Sequence, residues 1–232
     1  MRAVGIILAG GDSSKLRELT YRRAVAAMPI AGSYRSIDFA LSNMANSHVN
    51  KVAVLTQYNS RSLNEHLNSS KWWDFGRKQG GLYVFPPTIT KENGDWYRGT
   101  ADAIYQNLDF LKRCHEPYVI ITSGDAVYKL DYSKVLEYHM DTKADITVVC
   151  KEMESDTDFS RFGTVKVDDE MRIVEFEEKT SSPSSHLIST GIYIIRRRML
   201  IDLIEQSAVE KKYDFVRDIL IRYKNLKRIC AY

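Results

Sequence analysis

The residues that could do chemistry begin at a glycine turn near the amino terminus. An apolar run over residues 3–9 breaks at Gly10-Gly11, as expected where a buried strand opens into a loop whose N–H groups can approach a phosphate. Phosphate loops of this kind usually continue with more glycine and with positive charge. Here Asp12 and Ser13 follow, and the first cation is Lys15. The turn predicts a nucleotide site, yet Asp12 is an acid where a triphosphate would lie.

Two aspartates could hold a divalent cation. Asp125 follows Ser123-Gly124 at the end of an apolar run, and Asp214 precedes a helix-like segment. Mg²⁺ is commonly held by one or two carboxylates together with substrate phosphates. Each residue also has an ordinary structural interpretation, Asp125 as a turn residue and Asp214 as a helix N-cap. We therefore hypothesise that the two aspartates hold the cation together, and neither is assigned as a metal ligand on its own.

Two further segments carry groups that suit a phosphorylated ligand. Gly99-Thr100 opens a predicted helix whose first N–H groups could meet a base edge or a phosphate, although a simple capping turn explains the same residues equally well. Glu178-Lys179 could supply an anion for sugar hydroxyls and a cation for a phosphate, but exposed Glu-Lys pairs are common. Neither segment identifies a ligand without further support.

These residues need a sheet to bring them together. Apolar, β-branched runs predict buried strands at 51–56, 118–122 and 145–150. Amphipathic patterns predict helices at 36–47, 62–67 and 99–113. This alternation predicts an α/β fold with a doubly wound, mainly parallel sheet. Because ligands bind beyond the carboxyl ends of such strands, Gly10-Gly11, Gln57 and Asp125 are expected at one edge.

The second half of the chain has a different pattern. Paired β patterns around an acidic turn predict an antiparallel hairpin insertion at 163–167 and 172–176. A strand is predicted at 188–195 and a helix at 197–206. Asp214 can cap a further helix that runs to about Tyr223.

Composition limits the class of protein. The chain has 232 residues, of which 44% are apolar and 27% charged, and its net charge of +3 is too small to indicate nucleic-acid binding. The three cysteines have neither metal-ligand spacing nor an even number for closed disulfides. The first apolar run is too short for a membrane span and lacks a signal-peptide cleavage pattern. We therefore expect a cytoplasmic protein that binds neither nucleic acid nor membrane.

Several stretches together carry a family resemblance. They are Leu8 to Gly11, Gly32 to Asn43, Val54 to Tyr58, Gly99 to Ala103, Ser123 to Asp125 with Tyr128 to Tyr132, Arg172 to Phe176 with Glu178-Lys179, Gly191 to Tyr193, and Asp214-Phe215. The chain thereby resembles bacterial glucose-1-phosphate adenylyltransferase, within the sugar nucleotidyltransferases. The resemblance covers essentially the whole chain, and the Tyr34 to Asn43 block and the Asp125 block are its most specific parts.

The resemblance implies a Rossmann-like fold and an enzyme that joins ATP and glucose 1-phosphate into ADP-glucose and pyrophosphate for glycogen synthesis. Asp125 and Asp214 would hold Mg²⁺. The implied catalytic residues are Asp125, Lys15 in a weakened role, and Arg35. The implied nucleotide contacts are Leu8, Gly10, Gly11, Gln57, Gly99 and Thr100. The implied sugar-phosphate contacts are Glu178, Lys179, Ser189 and Gly191.

The chain departs from the family pattern where the triphosphate would bind. In the family loop Gly-Gly-x-Gly-x-Arg-Leu, the third glycine is replaced by Ser13 and the arginine by Lys15, and the lysine of Arg-Ala-Lys-Pro-Ala-Val is replaced by Val25. A Cβ at Ser13 restricts the backbone, and lysine lacks the bidentate fork of arginine. Losing one preorganised cation costs on the order of 10²–10³ in rate. The resemblance therefore implies a weakly active or inactive regulatory subunit that pairs with a catalytic homologous subunit, as a hetero-tetramer.

Two alternatives stay open. Lys15, Arg22, Arg23 and Arg35 could replace the missing cations in a self-sufficient enzyme, or the chain could be a sugar-phosphate or nucleotide sensor without catalysis. The left-handed β-helix that ends the family's chains is absent from this sequence. We therefore expect one nucleotidyltransferase-like domain, residues 1–232, truncated before that β-helix domain.

Overall fold

The apolar runs of the sequence form the strands of one central sheet. The computed structural model describes residues 2–11, 14–68, 73–76, 80–88 and 96–232, with the backbone alone for residues 14 and 15. In chain order the strands are β1 (Ala3–Ala9), β2 (Pro29–Ile30), β3 (Tyr34–Arg35), β4 (Lys51–Thr56), β5 (Gly81–Phe85), β6 (Tyr118–Ser123), β7 (Ile146–Glu152), β8 (Gly163–Val167), β9 (Ile173–Glu178), β10 (Leu187–Arg196) and β11 (Ile229–Ala231).

The α-helices lie between these strands along the chain. They are α1 (Ser36–Asn46), α2 (Arg61–Leu67), α3 (Thr100–Gln106), α4 (Leu108–Arg113), α5 (Tyr132–Asp141) and α6 (Arg197–Val209). A π-helix covers Val216–Ile221, and short 3-10 segments cover Ser14–Thr20, Val25–Ala27 and Phe159–Arg161. Within the described ranges, no helix has both the length and the apolar character needed to cross a bilayer.

The central sheet is mainly parallel, as predicted. Its order is β11-β7-β10-β6-β1-β4-β5, and β8 with β9 forms an antiparallel hairpin attached to β10. Strands β1, β4, β5 and β6 are parallel neighbours, whereas β10 runs antiparallel between β6 and β7. From β1 the chain first builds outward through β4 and β5, and then returns to place β6 on the other side. The carboxyl ends of β1 and β6 therefore meet at the point where the strand order reverses, which is where open α/β sheets bind ligands.

Both faces of the sheet are covered, which explains why the strands are apolar on both sides. In β1, Val4 and Ile6 pack into one hydrophobic cluster and Ala3 and Ile7 into the other, because successive side chains alternate across the sheet. Helices α3, α4 and α6 contribute to the first cluster, and α1, α2 and α5 to the second. The two layers fix the strand ends that carry the predicted site.

The structure corrects one predicted helix and confirms another. The helix predicted at 99–113 is broken at Asn107, whose side-chain amide donates to the Ala103 carbonyl at 2.8 Å and to the Tyr97 hydroxyl at 2.9 Å. Asparagine side chains compete with helical backbone bonding in this way. The helix expected after Asp214 is confirmed over residues 215–223, and its central part, Val216–Ile221, is a π-helix. Strands β2, β3 and β5 were not predicted.

Candidate functional site

The glycine turn after β1 has two different glycines. A Cβ at Gly10 would lie 3.0 Å from the Cβ of Gln57, whereas no atom lies within 4 Å of the same position at Gly11 among the described residues. Gly10 is therefore needed for close packing, and Gly11 leaves open space beside the backbone. Asp12 and Ser13 lie outside the described residues, as does the side chain of Lys15, so their predicted roles stay predictions.

The loop after β6 rests directly on β1. The N–H of Gly124 donates to the Leu8 carbonyl at 2.9 Å, and a Cβ at Gly124 would lie 3.2 Å from the Ile7 side chain. The glycine therefore lets the loop lie against the strand, which places Asp125 beside the glycine turn. Asp125 is exposed, and the hydroxyl of Ser123 donates to its Oδ1. In the described part of the chain, its Oδ2 has no hydrogen-bond partner and the carboxylate has no ion pair.

A cavity of about 220 Å³ opens where these two loops meet. Its described lining is Leu8, Ala9, Gly11, Val25, Ala26, Thr100, Ser123, Asp125, Gly191, Tyr193, Phe215 and Val216. Five of the predicted site residues are thus brought together: Leu8, Gly11, Thr100, Asp125 and Gly191. Among the described residues that line it, Asp125 is the only charged one, and Val25 forms part of the wall.

Asp214 lies at the edge of this cavity, because the two residues that follow it line the wall. Its Oδ1 accepts the N–H of Arg217 at 2.8 Å, and its own N–H donates to Oδ2 of Asp218 at 2.9 Å. The capping interpretation of Asp214 is therefore confirmed. A capping bond to one carboxylate oxygen leaves the other oxygen as a donor atom for a cation.

The two aspartates match the donors that Mg²⁺ prefers. Asp125 faces the cavity with one carboxylate oxygen uncommitted among the described residues, and Asp214 adds a second carboxylate at its edge. Carboxylate oxygens are hard ligands suited to Mg²⁺, which completes its shell with water and substrate phosphates. No group of three or more His, Cys, Asp or Glu side chains in the described ranges could hold a metal on its own. A cation here would therefore depend on ligand oxygens as well as on protein.

The predicted nucleotide contacts Gln57, Gly99 and Thr100 all have partners within the chain. The buried Gln57 accepts the N–H of Tyr97 on its Oε1 at 2.9 Å. The first free N–H groups of α3, after Gly99-Thr100, donate to the Tyr213 carbonyl rather than pointing into open space. The Thr100 hydroxyl accepts the N–H of Phe215 at 2.9 Å. These bonds show what positions the residues, and their contacts to a nucleotide remain predictions.

The predicted sugar-phosphate residues divide into two groups. Gly191 lines the cavity with a φ of 75°, at an irregularity where β10 pairs with β7. Glu178, Lys179 and Ser189 are not part of the described lining. Glu178 ends β9 and forms an ion pair with Lys179, with Oε1 and Nζ 3.1 Å apart. The Lys179 side chain is 59% exposed and the Glu178 side chain only 15%, so the lysine end of the pair faces solvent and the carboxylate end is largely buried.

Arg35 lies away from the cavity. Its guanidinium donates to the Ser62 carbonyl, and its backbone N–H donates to Oδ2 of Asp38 at 2.9 Å. These bonds join β3, α1 and the start of α2. The side chain is thus engaged in packing two helices, and the cavity lining does not include it among the described residues.

Tyr193 is a cavity residue that the sequence did not single out as a contact. Burial raises the pKa of its hydroxyl well above the usual range, so the phenol stays neutral and able to donate a hydrogen bond. One signal was available, since residues two apart on a strand share a face and Gly191 was already a candidate. Tyr193 therefore adds a neutral tyrosine to the cavity that Asp125 also lines.

Comparisons with known proteins identify the family to which the chain belongs. The nucleotidyl transferase family model matches residues 4–229. Proteins named glucose-1-phosphate adenylyltransferase from Bacillus thuringiensis (strain Al Hakam), Bacillus anthracis and Bacillus mycoides (strain KBAB4) are each 43% identical over 234 residues, covering 100% of this chain and 62% of theirs. The chain thus spans 62% of the length of these curated relatives. Because the family model extends over nearly every residue, the chain belongs to the nucleotidyl transferase family.

Proposed function

We propose that this chain is a subunit of a glucose-1-phosphate adenylyltransferase, with little activity of its own, that works beside a catalytic homologous subunit in a hetero-tetramer. The complex would convert ATP and glucose 1-phosphate into ADP-glucose and pyrophosphate. Identity of 43% to enzymes with that name supports the reaction. The low activity is supported by one observation, which is that the described wall of the cavity contains Val25 and no cation.

The reaction needs positioning and charge compensation more than covalent chemistry. An oxygen of the sugar phosphate attacks the α-phosphate of ATP in line, and the protein holds the two reactants together. Mg²⁺ bound at Asp125 and Asp214 would offset negative charge on the phosphates. Gly11 leaves the first loop open for a phosphate to approach, and Gly191 does the same opposite it. The hydroxyl of Tyr193 stays neutral and can donate to a ligand oxygen.

The described lining of this cavity contains no cation that would compensate the charge of a triphosphate. A lysine at position 25 would put an ammonium group on the wall where Val25 stands. Without that ammonium group, one divalent cation neutralises the two carboxylates of Asp125 and Asp214 and has no positive charge left for the phosphates. The triphosphate charge is then left uncompensated. A preorganised cation at such a place is worth on the order of 10²–10³ in rate.

The self-sufficient alternative receives no support from the other arginines. Arg35 bonds the Ser62 carbonyl, and Arg22 and Arg23 line a separate cavity that also includes Tyr21. None of these three arginines is among the described residues that line the cavity with Asp125. Replacement of the lost lysine by a neighbouring arginine would therefore require a rearrangement.

Pyrophosphate release from ATP and glucose 1-phosphate tests the proposal. We expect the chain alone to be nearly inactive, and Val25→Lys to raise its rate on the order of 10²-fold. Val25→Leu is the matched control, because it enlarges the side chain without adding charge. Full activity of the unmodified chain without a partner would defeat the proposal. Calorimetry showing that ATP binds equally well with and without Mg²⁺ would instead indicate a sensor.

A further inference from the structure

We propose that the amino-terminal turn of α3 positions Asp214, through contacts with the residues on either side of it. This turn, Arg98-Gly99-Thr100 and the two residues after it, is called here the α3 clasp, and it contacts Tyr213 and Phe215. The segments are distant in sequence, since Thr100 and Phe215 are 115 residues apart. The inference rests on the proposed function, because it concerns how Asp214 is held at the cavity for a divalent cation.

The free N–H groups at the start of α3 are capped by the backbone of the Asp214 segment. The carbonyl of Tyr213 accepts the N–H of Ala101 at 2.8 Å and of Asp102 at 3.3 Å. Such N–H groups have no partner within their own helix and are usually capped by a nearby side chain. Gly99 occupies the N-cap position and has no side chain to offer. A Cβ at Gly99 would lie 2.4 Å from the Tyr213 carbonyl oxygen, so glycine is what permits this approach.

Side chains reinforce the clasp on both sides of Asp214. The Thr100 hydroxyl accepts the N–H of Phe215 at 2.9 Å, and Nη1 of Arg98 donates to the Tyr213 hydroxyl at 2.8 Å. The Arg98 guanidinium also lies 4.1 Å from the centre of the Tyr213 ring, within cation–π distance. Asp102, which is 2% exposed, accepts the backbone N–H of Arg98 at 2.8 Å and bonds its guanidinium at 3.3 Å. A buried carboxylate of this kind fixes the arginine that it bonds.

The consequence is that Asp214 is held by its neighbours as well as by its own helix. Its Oδ1 and N–H are bonded within residues 214–218. Tyr213 and Phe215 are both bonded to α3, and Phe215 lines the cavity together with Thr100. A shift of the clasp would therefore move the Asp214 backbone relative to the cavity. Arg98 and Thr100 are positioning residues in this arrangement, acting through Asp214.

Binding of Mn²⁺ alone, followed by electron paramagnetic resonance, is the test. Thr100→Val removes the acceptor for the Phe215 N–H at nearly constant volume, and we expect binding about threefold to tenfold weaker, the range for one lost hydrogen bond. Thr100→Ser keeps the hydroxyl and should bind Mn²⁺ as the unmodified chain does. Thr142→Val is the matched control, because its hydroxyl donates to the Tyr138 carbonyl at 2.7 Å on α5.

Hydrogen exchange over residues 213–216 separates the outcomes. Faster exchange and weaker Mn²⁺ binding in Thr100→Val, both restored in Thr100→Ser, support the inference. Faster exchange with unchanged Mn²⁺ affinity would make the clasp purely structural and overturn the inference, leaving the proposed function standing. Unchanged exchange would overturn the clasp itself. An unmodified chain that binds no Mn²⁺, or an Asp214→Asn chain that binds it equally well, would overturn both the metal role of Asp214 and this inference.

Discussion

The two walls of the cavity differ in charge and in how firmly they are held. The glycine-turn wall, formed by Gly11 and Val25-Ala26, has no charged side chain among its described residues, and the space beside Gly11 is open. The aspartate wall, formed by Asp125 and the Asp214 segment, carries the acids. It is bonded to β1 through Gly124 and to α3 through the residues around Asp214. One wall has carboxylates that would orient a cation, and the described residues of the other include none that would neutralise a polyphosphate.

The difference indicates which residues can change without loss of the fold. Gly99 and Gly124 lie close to atoms of other elements, so substitutions there disturb packing and cost stability. Gly11 has no described atom within 4 Å of its Cβ position, and Val25 is half-buried at a cavity. Substitutions at such exposed or cavity-facing positions usually change stability little. Substitutions on the glycine-turn wall can therefore change its charge while the aspartate wall keeps its packing.

The largest expected effect tests the aspartate wall. In a chain that carries Val25→Lys, Asp125→Asn should remove the gained activity, a fall on the order of 10²-fold, because an amide cannot balance the charge of Mg²⁺. The measurement is pyrophosphate release with saturating Mg²⁺. Asp131→Asn is the matched control, since Asp131 caps α5 through the N–H of Ser133 at 2.9 Å. Retention of the gain in the Asp125→Asn chain would contradict the metal role of Asp125.

A smaller effect compares Gly11 of the glycine-turn wall with Gly99, which packs against the Asp214 segment of the aspartate wall. Gly99→Ala should lower the free energy of unfolding by about 2–3 kcal/mol, because its Cβ would lie 2.4 Å from the Tyr213 carbonyl oxygen. Gly11→Ala should change it by less than about 0.5 kcal/mol, since no described atom lies near that position. Urea denaturation measures both. Equal destabilisation by the two substitutions would contradict the difference between the walls.

The strands were predictable because their signal is local. The pattern at 51–56 matches β4 residue for residue, and the pattern at 118–122 falls one residue short of β6. Burial on both faces requires continuous apolar runs, and such runs are visible in any short window. Because ligands bind beyond the carboxyl ends of the strands in open α/β sheets, the proximity of the glycine turn to Asp125 was predictable too.

The partners of the site residues were not predictable, because they depend on distant segments or on competition between side chains. Gly99 and Thr100 suggested a ligand contact, which stays a prediction, and the structure adds that Thr100, Ala101 and Asp102 bond to the segment around Asp214. No local pattern indicates a contact across 115 residues. The helix breaks at Asn107 because its side-chain amide bonds to the backbone. A prediction from the spacing of apolar residues does not detect such a bond. Sequence motifs thus predicted the residues that meet at the cavity, and the structure adds the tertiary contacts that position them.

The smallest expected effect concerns Arg35. It tests whether this neighbouring arginine supplies the cation that is absent from the described residues of the glycine-turn wall. Arg35→Met keeps the apolar stem and removes the bond to the Ser62 carbonyl, so we expect a loss of about 1 kcal/mol in unfolding free energy and unchanged ATP affinity. Arg61→Met is the matched control, because its side chain is 94% exposed. Thermal denaturation and calorimetry with ATP measure the two quantities. A self-sufficient enzyme that uses Arg35 on the phosphates would instead lose about tenfold to a hundredfold in ATP affinity, since a charge-assisted bond contributes about 1.5–3 kcal/mol. That result would supply the missing cation and remove the main difference between the two walls.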